Sequence, residues 1–439
     1  MKKKIIAGIC AAAVVVVGVG VALGRTPSYA IAEAKYPDMA HYPSEWALTF
    51  ESDYNAWRAD RMALRESRFD GYDEGLKAFT KEALPALLSG AGNVNRVASP
   101  LNVYMALSML TELTDGNSRA QLLELLHAPD ADTQRQRAEA LWKYNYSDDG
   151  ATTLILANSI WLDDGISYSE EPLKRLAANY FASSYQGDMA DSAYTSAMKR
   201  WLNEQTGGLL RDAVGEIEVD PKTIVTLLST IYYQAKWDNE FREEKNETLP
   251  FHTPTGDVET TFMCKSSEGS YYWGDTFAAI TQSIENAGRM WFFLPDEGVS
   301  VDEMLKDEGI CAILNGESWE NSKRLIIDLK IPKFDVSSKL KLRETLESLG
   351  VTDIFDDASA DFTPLLDADQ PAWISDVEHA ARVIIDEEGI QAAAYTAMMM
   401  AGAAEPPDER VEIVFDRPFL FAVTGTDGAV LFAGVVNNP

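Results

Sequence analysis

The sequence predicts an α+β domain, and three observations carry that reading. Segments with apolar residues at helical spacing crowd the early part of the chain, at 76–88, 95–113 and 121–127. Long runs of β-branched and aromatic residues follow at 154–162, 223–237, 326–336 and 373–386. Last, the sixteen residues 389–404 carry neither charge nor proline, and stop at Glu405-Pro406-Pro407-Asp408. Such a stretch is a poor surface loop, which would be polar and rich in turn residues. Read with period two, one face holds Ile390, Ala392, Ala394, Thr396, Met398 and Met400. The other holds Gln391, Ala393, Tyr395, Ala397 and Met399. The segment could live as an exposed loop or a central strand, and its alanine content also suits a buried helix.

The 439 residues, 46% hydrophobic, can bury one large core or two smaller ones. No internal repeat or second domain is visible. The chain divides into a leader (1–30), an extension or linker with no clear period (31–70) and one domain (71–439). Net charge is −31. The leader holds Lys2, Lys3, Lys4 and Arg25 and no acid, so the remainder carries about −35 by the same count. That surface repels nucleic acid and heparin-like polyanions, and it also serves simple solubility.

The three lysines precede an apolar run, 5–23, about as long as a bilayer crossing needs. It is a secretory signal or an uncleaved anchor. Ser28-Tyr29-Ala30 and Ala30-Ile31-Ala32 offer small-residue cleavage sites. Cys10 suggests lipidation, but Ile9 before it fits poorly. The domain is expected outside the cytoplasm, secreted or tethered to the outer face of the membrane by residues 5–24. Cys264 and Cys311 either pair or stay as core thiols, since two cysteines are not a disulfide framework.

Along the domain, Pro100 sits at a helix start ahead of the apolar run 101–110, which suits a buried core helix. Residues 168–181 and 193–206 read as helices. Leu294-Pro295-Asp296-Glu297-Gly298 is a turn after an apolar strand, and 340–349 is a helix stopped by Gly350. Enzymatic motifs are missing: no G-x-S-x-G elbow, P-loop, G-x-G-x-x-G or H-E-x-x-H occurs. His41, His127, His252 and His379 are scattered, which argues against a metal cage. No cofactor, metal or catalytic residue is expected.

The run Glu387-Glu388-Gly389, then Ala392-Ala393-Ala394, then Thr396-Ala397, resembles the hinge of the reactive loop of inhibitory serpins. Phe415-Asp416-Arg417-Pro418-Phe419-Leu420-Phe421 resembles that family's C-terminal signature, and the likeness extends over roughly 72–439. It implies a large central mixed, mainly antiparallel sheet, two smaller sheets, about nine helices and an exposed reactive-centre loop at 387–410. The function it implies is suicide inhibition of serine proteases. The protease opens the loop as an acyl-enzyme, and the cut loop enters the large sheet as a new strand, carrying the protease with it.

The physical requirements of that mechanism are met in the residues. The inserting face is uncharged, no proline occurs before Pro406, and Gly389 lets the hinge bend. Counting the family's loop length from Gly389 puts the cut bond at Ala403–Ala404, with Met400–Ala401 the alternative. Alanine there suits elastase-like or subtilisin-like proteases, with papain-like cysteine proteases a second class, and the inhibitor is expected to act as a monomer.

Other positions follow from the resemblance one by one. Ser99 and His379 match the shutter beneath the sheet. Asn102 stands where serine is usual and Ser229 where asparagine is usual, which suggests an exchange of partners. Trp237, Lys333 and Glu387 match the breach, where insertion begins. Ile390 and Tyr395 depart from the small residues usual at their positions. The competing readings are a non-inhibitory serpin that binds or carries a ligand, and a hydrolase with a triad assembled in space, for which no residue argues.

Overall fold

The computed structural model describes residues 29–43, 47–66, 68–215, 219, 223–366, 372–374, 377–390 and 409–439. The expected loop positions Ala392, Ala393, Ala394, Thr396, Met400, Ala401, Ala403 and Ala404 lie outside them, as does the leader to residue 28.

The extension contains defined structure. A short strand, β1 (Ala30–Ala32), is followed by a helix, α1 (Phe50–Arg65). Only Trp57 of α1 is buried, and aromatic and charged residues alternate irregularly around it, which hides the helical period. The expected helices come next: α2 (Glu74–Leu88), then β2 (Arg96–Ala98) leading into α3 (Pro100–Leu113), then α4 (Gly116–Leu125). Helix α3 has Pro100 in its first turn and a Ser99 cap, and it is buried almost all round. Helix α5 (Ala131–Asn145) was not anticipated; its mean hydropathy is low although Leu141 and Trp142 are fully buried.

A short β3 (Ser147–Asp148) pairs with β4 (Thr153–Asp163). Then come α6 (Glu170–Asn179), β5 (Ala182–Gly187), α7 (Ser192–Gln205), α8 (Arg211–Gly215) and β6 (Val225–Lys236). Strands β7 (Glu247–Thr253), β8 (Gly256–Trp273), β9 (Phe277–Ile284) and β10 (Gly288–Pro295) precede two short helices, α9 (Val301–Met304) and α10 (Glu308–Leu314).

The strand expected at 326–336 divides in two. Pro332 ends β11 (Ser322–Pro332), and β12 (Phe334–Lys341) continues into a different sheet. After α11 (Arg343–Ser348), Gly350 takes a left-handed φ of 94°, consistent with its role as a helix stop. The chain closes with β13 (Glu378–Ile385), β14 (Gly389–Ile390), β15 (Arg410–Val414), β16 (Phe419–Thr424) and β17 (Val430–Val436).

The large sheet has the order β1-β5-β4-β6-β14-β13-β12, with β3 on β4. All its pairings are antiparallel except β4 with β5. The expected smaller sheets run together through the 18-residue β8, in the order β15-β11-β8-β9-β10-β16-β17-β2. Cys264 and Cys311 are free thiols. Among the described residues no helix is long and apolar enough to cross a membrane.

Candidate functional site

The site lies between β6 and β13, which among the described residues are joined within the large sheet through Gly389 and Ile390. Gly389 pairs with Lys236 and Ile390 with Ala235, while Ile390 also pairs with Ile385. Among the described residues no ladder joins β6 to β13 directly. The first residues of the uncharged segment, Gly389 and Ile390, thus already occupy a central strand position, and the Ile390 side chain is buried at 3% exposure. A bulky apolar residue is well suited to that place, although small residues are usual there.

The chain reaches this position through a tight reversal. Asp386 N–H donates to the Gly389 carbonyl at 3.1 Å, and one Asp386 carboxylate oxygen accepts from the Glu388 and Gly389 N–H groups at 2.9 and 3.1 Å. Gly389 is required by close approach. A Cβ there would collide with the Ala235 carbonyl and come within 2.7 Å of the Lys236 Cα. Gly389→Ala should therefore displace β14 from β6. Hydrogen exchange at the Trp237 N–H, which donates to the Glu388 carbonyl at 3.0 Å, should accelerate at least tenfold.

The residues assigned to the breach meet here. Trp237 is buried, and its indole N–H donates to the Asp386 carbonyl at 2.9 Å. Lys333 pairs with Glu387 at 2.5 Å. Asn246 also donates to the Glu387 carboxylate, and the Phe241 N–H donates to the Glu387 carbonyl at 3.0 Å. Burial alone would push the Glu387 carboxyl up, but the Lys333 and Asn246 hydrogen bonds outweigh it and hold the group below its ordinary value. The Glu387 side chain is 14% exposed and that of Lys333 35%, so the pair is partly shielded from water and is worth more than a fully exposed one. Asp386, Asn246 and Phe241 were not singled out in the sequence. Asp386 was legible as an Asx residue ahead of a glycine, whereas the other two are brought in by tertiary packing.

Beneath the sheet, the residues that the resemblance assigns to the shutter link its two halves through the start of α3. The Ser99 N–H donates to His379 Nε2 at 2.9 Å, and Ser99 Oγ accepts from the Asn102 N–H at 3.2 Å. Asn102 Nδ2 donates to the Ser229 carbonyl at 3.2 Å, and the Ser229 hydroxyl donates to Asn102 Oδ1. Ser229 is on β6 and His379 on β13, so this bridge spans the strands that an inserting segment would part. The unusual residues at 102 and 229 satisfy each other. The single changes Asn102→Ser and Ser229→Asn should each cost about 1–2 kcal/mol, and the double exchange should recover at least half of the sum in a chemical-unfolding cycle. Strict additivity would refute the pairing.

Burial lowers the His379 pKa to about 4, and the ring nitrogen accepts rather than donates. The neutral form is favoured in the folded chain, so the unfolded chain takes up the proton first. Stability on this account is full above about pH 6.5 and falls as pH drops towards 4. The loss is about 1.4 kcal/mol per unit, or about 3 kcal/mol in all. Unfolding midpoints of the parent and His379→Gln across that window should differ in slope by this amount.

The model of the family described as "Serpin (serine protease inhibitor)" matches residues 74–439. An uncharacterised serpin-like protein of Thermococcus kodakarensis is 28% identical over 391 residues, covering 86% of this chain and 88% of the relative. The thermophilic serpin tengpin in its native state superposes with a TM-score of 0.72 at 24% identity, covering 85% of this chain and 95% of tengpin. Thyroxine-binding globulin in complex with thyroxine gives 0.69 at 22% identity, covering 83% of this chain and 99% of that one. With the family model spanning most of its length, this chain belongs to the serpin family.

Proposed function

We propose that this serpin inhibits serine proteases by the suicide route, with cleavage at Ala403–Ala404 and insertion of the cut segment between β6 and β13. It is not itself an enzyme: the protease does the chemistry and is caught as an acyl-enzyme. The observation that carries this reading is the pairing of Gly389 and Ile390 with both β6 and β13. A strand continuing from Ile390 enters a sheet whose two central strands share no other ladder among the described residues.

Fifteen residues at about 3.3 Å each would carry the protease roughly 50 Å. Deacylation would then fail because the catalytic groups lose the positioning on which it depends. Alanine at 403 suits elastase-like and subtilisin-like enzymes, and Met400–Ala401 would suit a longer apolar pocket.

Incubation of the purified chain with an elastase-like and a subtilisin-like protease tests this reading. The expected products are a band of summed mass on a denaturing gel and a released peptide beginning at Ala404. Turnover of the loop with no adduct at any ratio of protease to chain would remove the inhibitory reading and favour a binding or carrier serpin.

A further inference from the structure

Both candidate cleavage sites of the leader fall where the chain is docked on the large sheet. The Tyr29 carbonyl accepts from the Gln186 N–H at 2.8 Å, and its ring packs edge-on against Tyr194 with centroids 4.8 Å apart. Ala30 pairs with Tyr185 and Ala32 with Ser184. The Ala34 N–H then donates to Ser183 Oγ at 3.1 Å. Tyr29 belongs to the apolar cluster of Trp161, Met189, Tyr194 and Met198. A cut after Ala30 would remove Tyr29 and place a charged amine inside the strand. A cut after Ala32 would remove the strand altogether and leave β5 as an unpaired edge. Each cut discards residues whose contacts belong to the fold.

The direction of β1 locates the leader. Going back from Ala32 to Tyr29 the partners advance from Ser184 to Gln186. Gln186 is level with Leu162, and Leu162 with Val225, the first residue of β6. The hinge pairs with Ala235 and Lys236, at the other end of β6. The 12 residues of β6 separate those levels by roughly 35 Å. The chain therefore enters the large sheet from the pole opposite the hinge. Only residues 24–28 lie between the apolar run and Tyr29, a reach of at most about 20 Å. The apolar run, 5–23, has about the number of residues that a bilayer crossing needs.

We infer that the leader is retained as a membrane anchor fused to the large sheet by β1, so that the domain stands on the bilayer with its hinge pole outward. Lys2, Lys3 and Lys4 remain on the cytoplasmic side. On the inhibitory reading above, and only there, the bait faces away from the membrane and insertion draws the captured protease towards it.

The test uses the full chain with its own leader, made in an exporting bacterial host. Washing the membranes with alkaline carbonate, then measuring the intact mass, should find a chain beginning at Met1 or Lys2 that only detergent releases. A chain beginning at Ile31, at Glu33 or at a lipidated Cys10 overturns the inference. Orientation is read by energy transfer to a bilayer dye from labels at Asp164→Cys and Asn239→Cys, with Cys10, Cys264 and Cys311 replaced by serine. Transfer from position 164, near the tether, should be several-fold the stronger; equal or reversed transfer overturns the orientation. A chain carrying Ala394→Arg should fractionate like the parent whether or not it traps a protease, which separates failure of the anchor from failure of the inhibitory reading.

Discussion

On the proposed inhibitory mechanism, replacing Ala394 by arginine should turn this serpin from a trap into a substrate. Ala394 lies two steps beyond Ala392 on the face that starts with Ile390, whose side chain is already buried between β6 and β13. Continuing that strand would bury the arginine without a partner, at a cost of several kcal/mol. Even 3 kcal/mol set against insertion slows it about a hundredfold. Hydrolysis of the acyl-enzyme then wins, and nearly every encounter should end in cleaved loop and free protease. Gln391→Arg puts the same charge on the opposite face and should cost far less. The ratio of adduct to cleaved chain on a denaturing gel reads both variants. Equal behaviour would mean that the two faces are not distinguished, against a strand with the register of β14.

The second large effect is expected far from the loop. Asp149, between β3 and β4, has no exposed side-chain surface. One carboxylate oxygen accepts from the Ala151 and Thr152 N–H groups at 3.0 and 2.8 Å. The other accepts from the Trp57 indole at 2.7 Å and from Arg61 at 3.3 Å, both on α1. Arg61 in turn stacks over Trp57 at 5.1 Å and donates to the Asn286 carbonyl at 2.8 Å. The extension thus satisfies a buried charge of the domain. Arg61→Ala leaves that charge short of its cation and should cost about 3 kcal/mol. Asp149→Asn in the same chain should restore a substantial part, because the orphaned charge goes with it. Denaturant midpoints of the four chains measure this, and a loss below about 0.5 kcal/mol for Arg61→Ala would show that water replaces the arginine freely.

These two sites show where the sequence is informative and where it is not. The start of the uncharged segment was legible because its constraint is local: Gly389 and Ile390 take the strand position that period two allows, while the positions from Gln391 to Asp408 lie outside the described residues. The buried α3 and the strands β4, β6 and β13 were legible for the same reason, as runs of one period. Ser99, His379, Asn102 and Ser229 could be paired from sequence only through the family resemblance, since 127 and 280 residues separate the partners of the bonds they make. The role of α1 was hidden. Its value to the domain rests on Trp57 and Arg61 reaching Asp149, a long-range polar contact that leaves no periodic trace. Likewise Pro332 divides one apolar run between two sheets, a decision made by tertiary pairing rather than by propensity.

The most direct test of the insertion account is the thermal unfolding of the chain before and after a single cut near Ala403, made by a protease that is not itself captured. Insertion would add a central strand to the large sheet and convert a kinetically held state into the more stable one. A gain of about 10 kcal/mol in a chain of this size corresponds to a rise in Tm of roughly 10–20 °C. An unchanged or lowered Tm in the cut chain, with the peptide after the cut confirmed by mass, would contradict the account, because the segment after Ile390 would then have no place between β6 and β13.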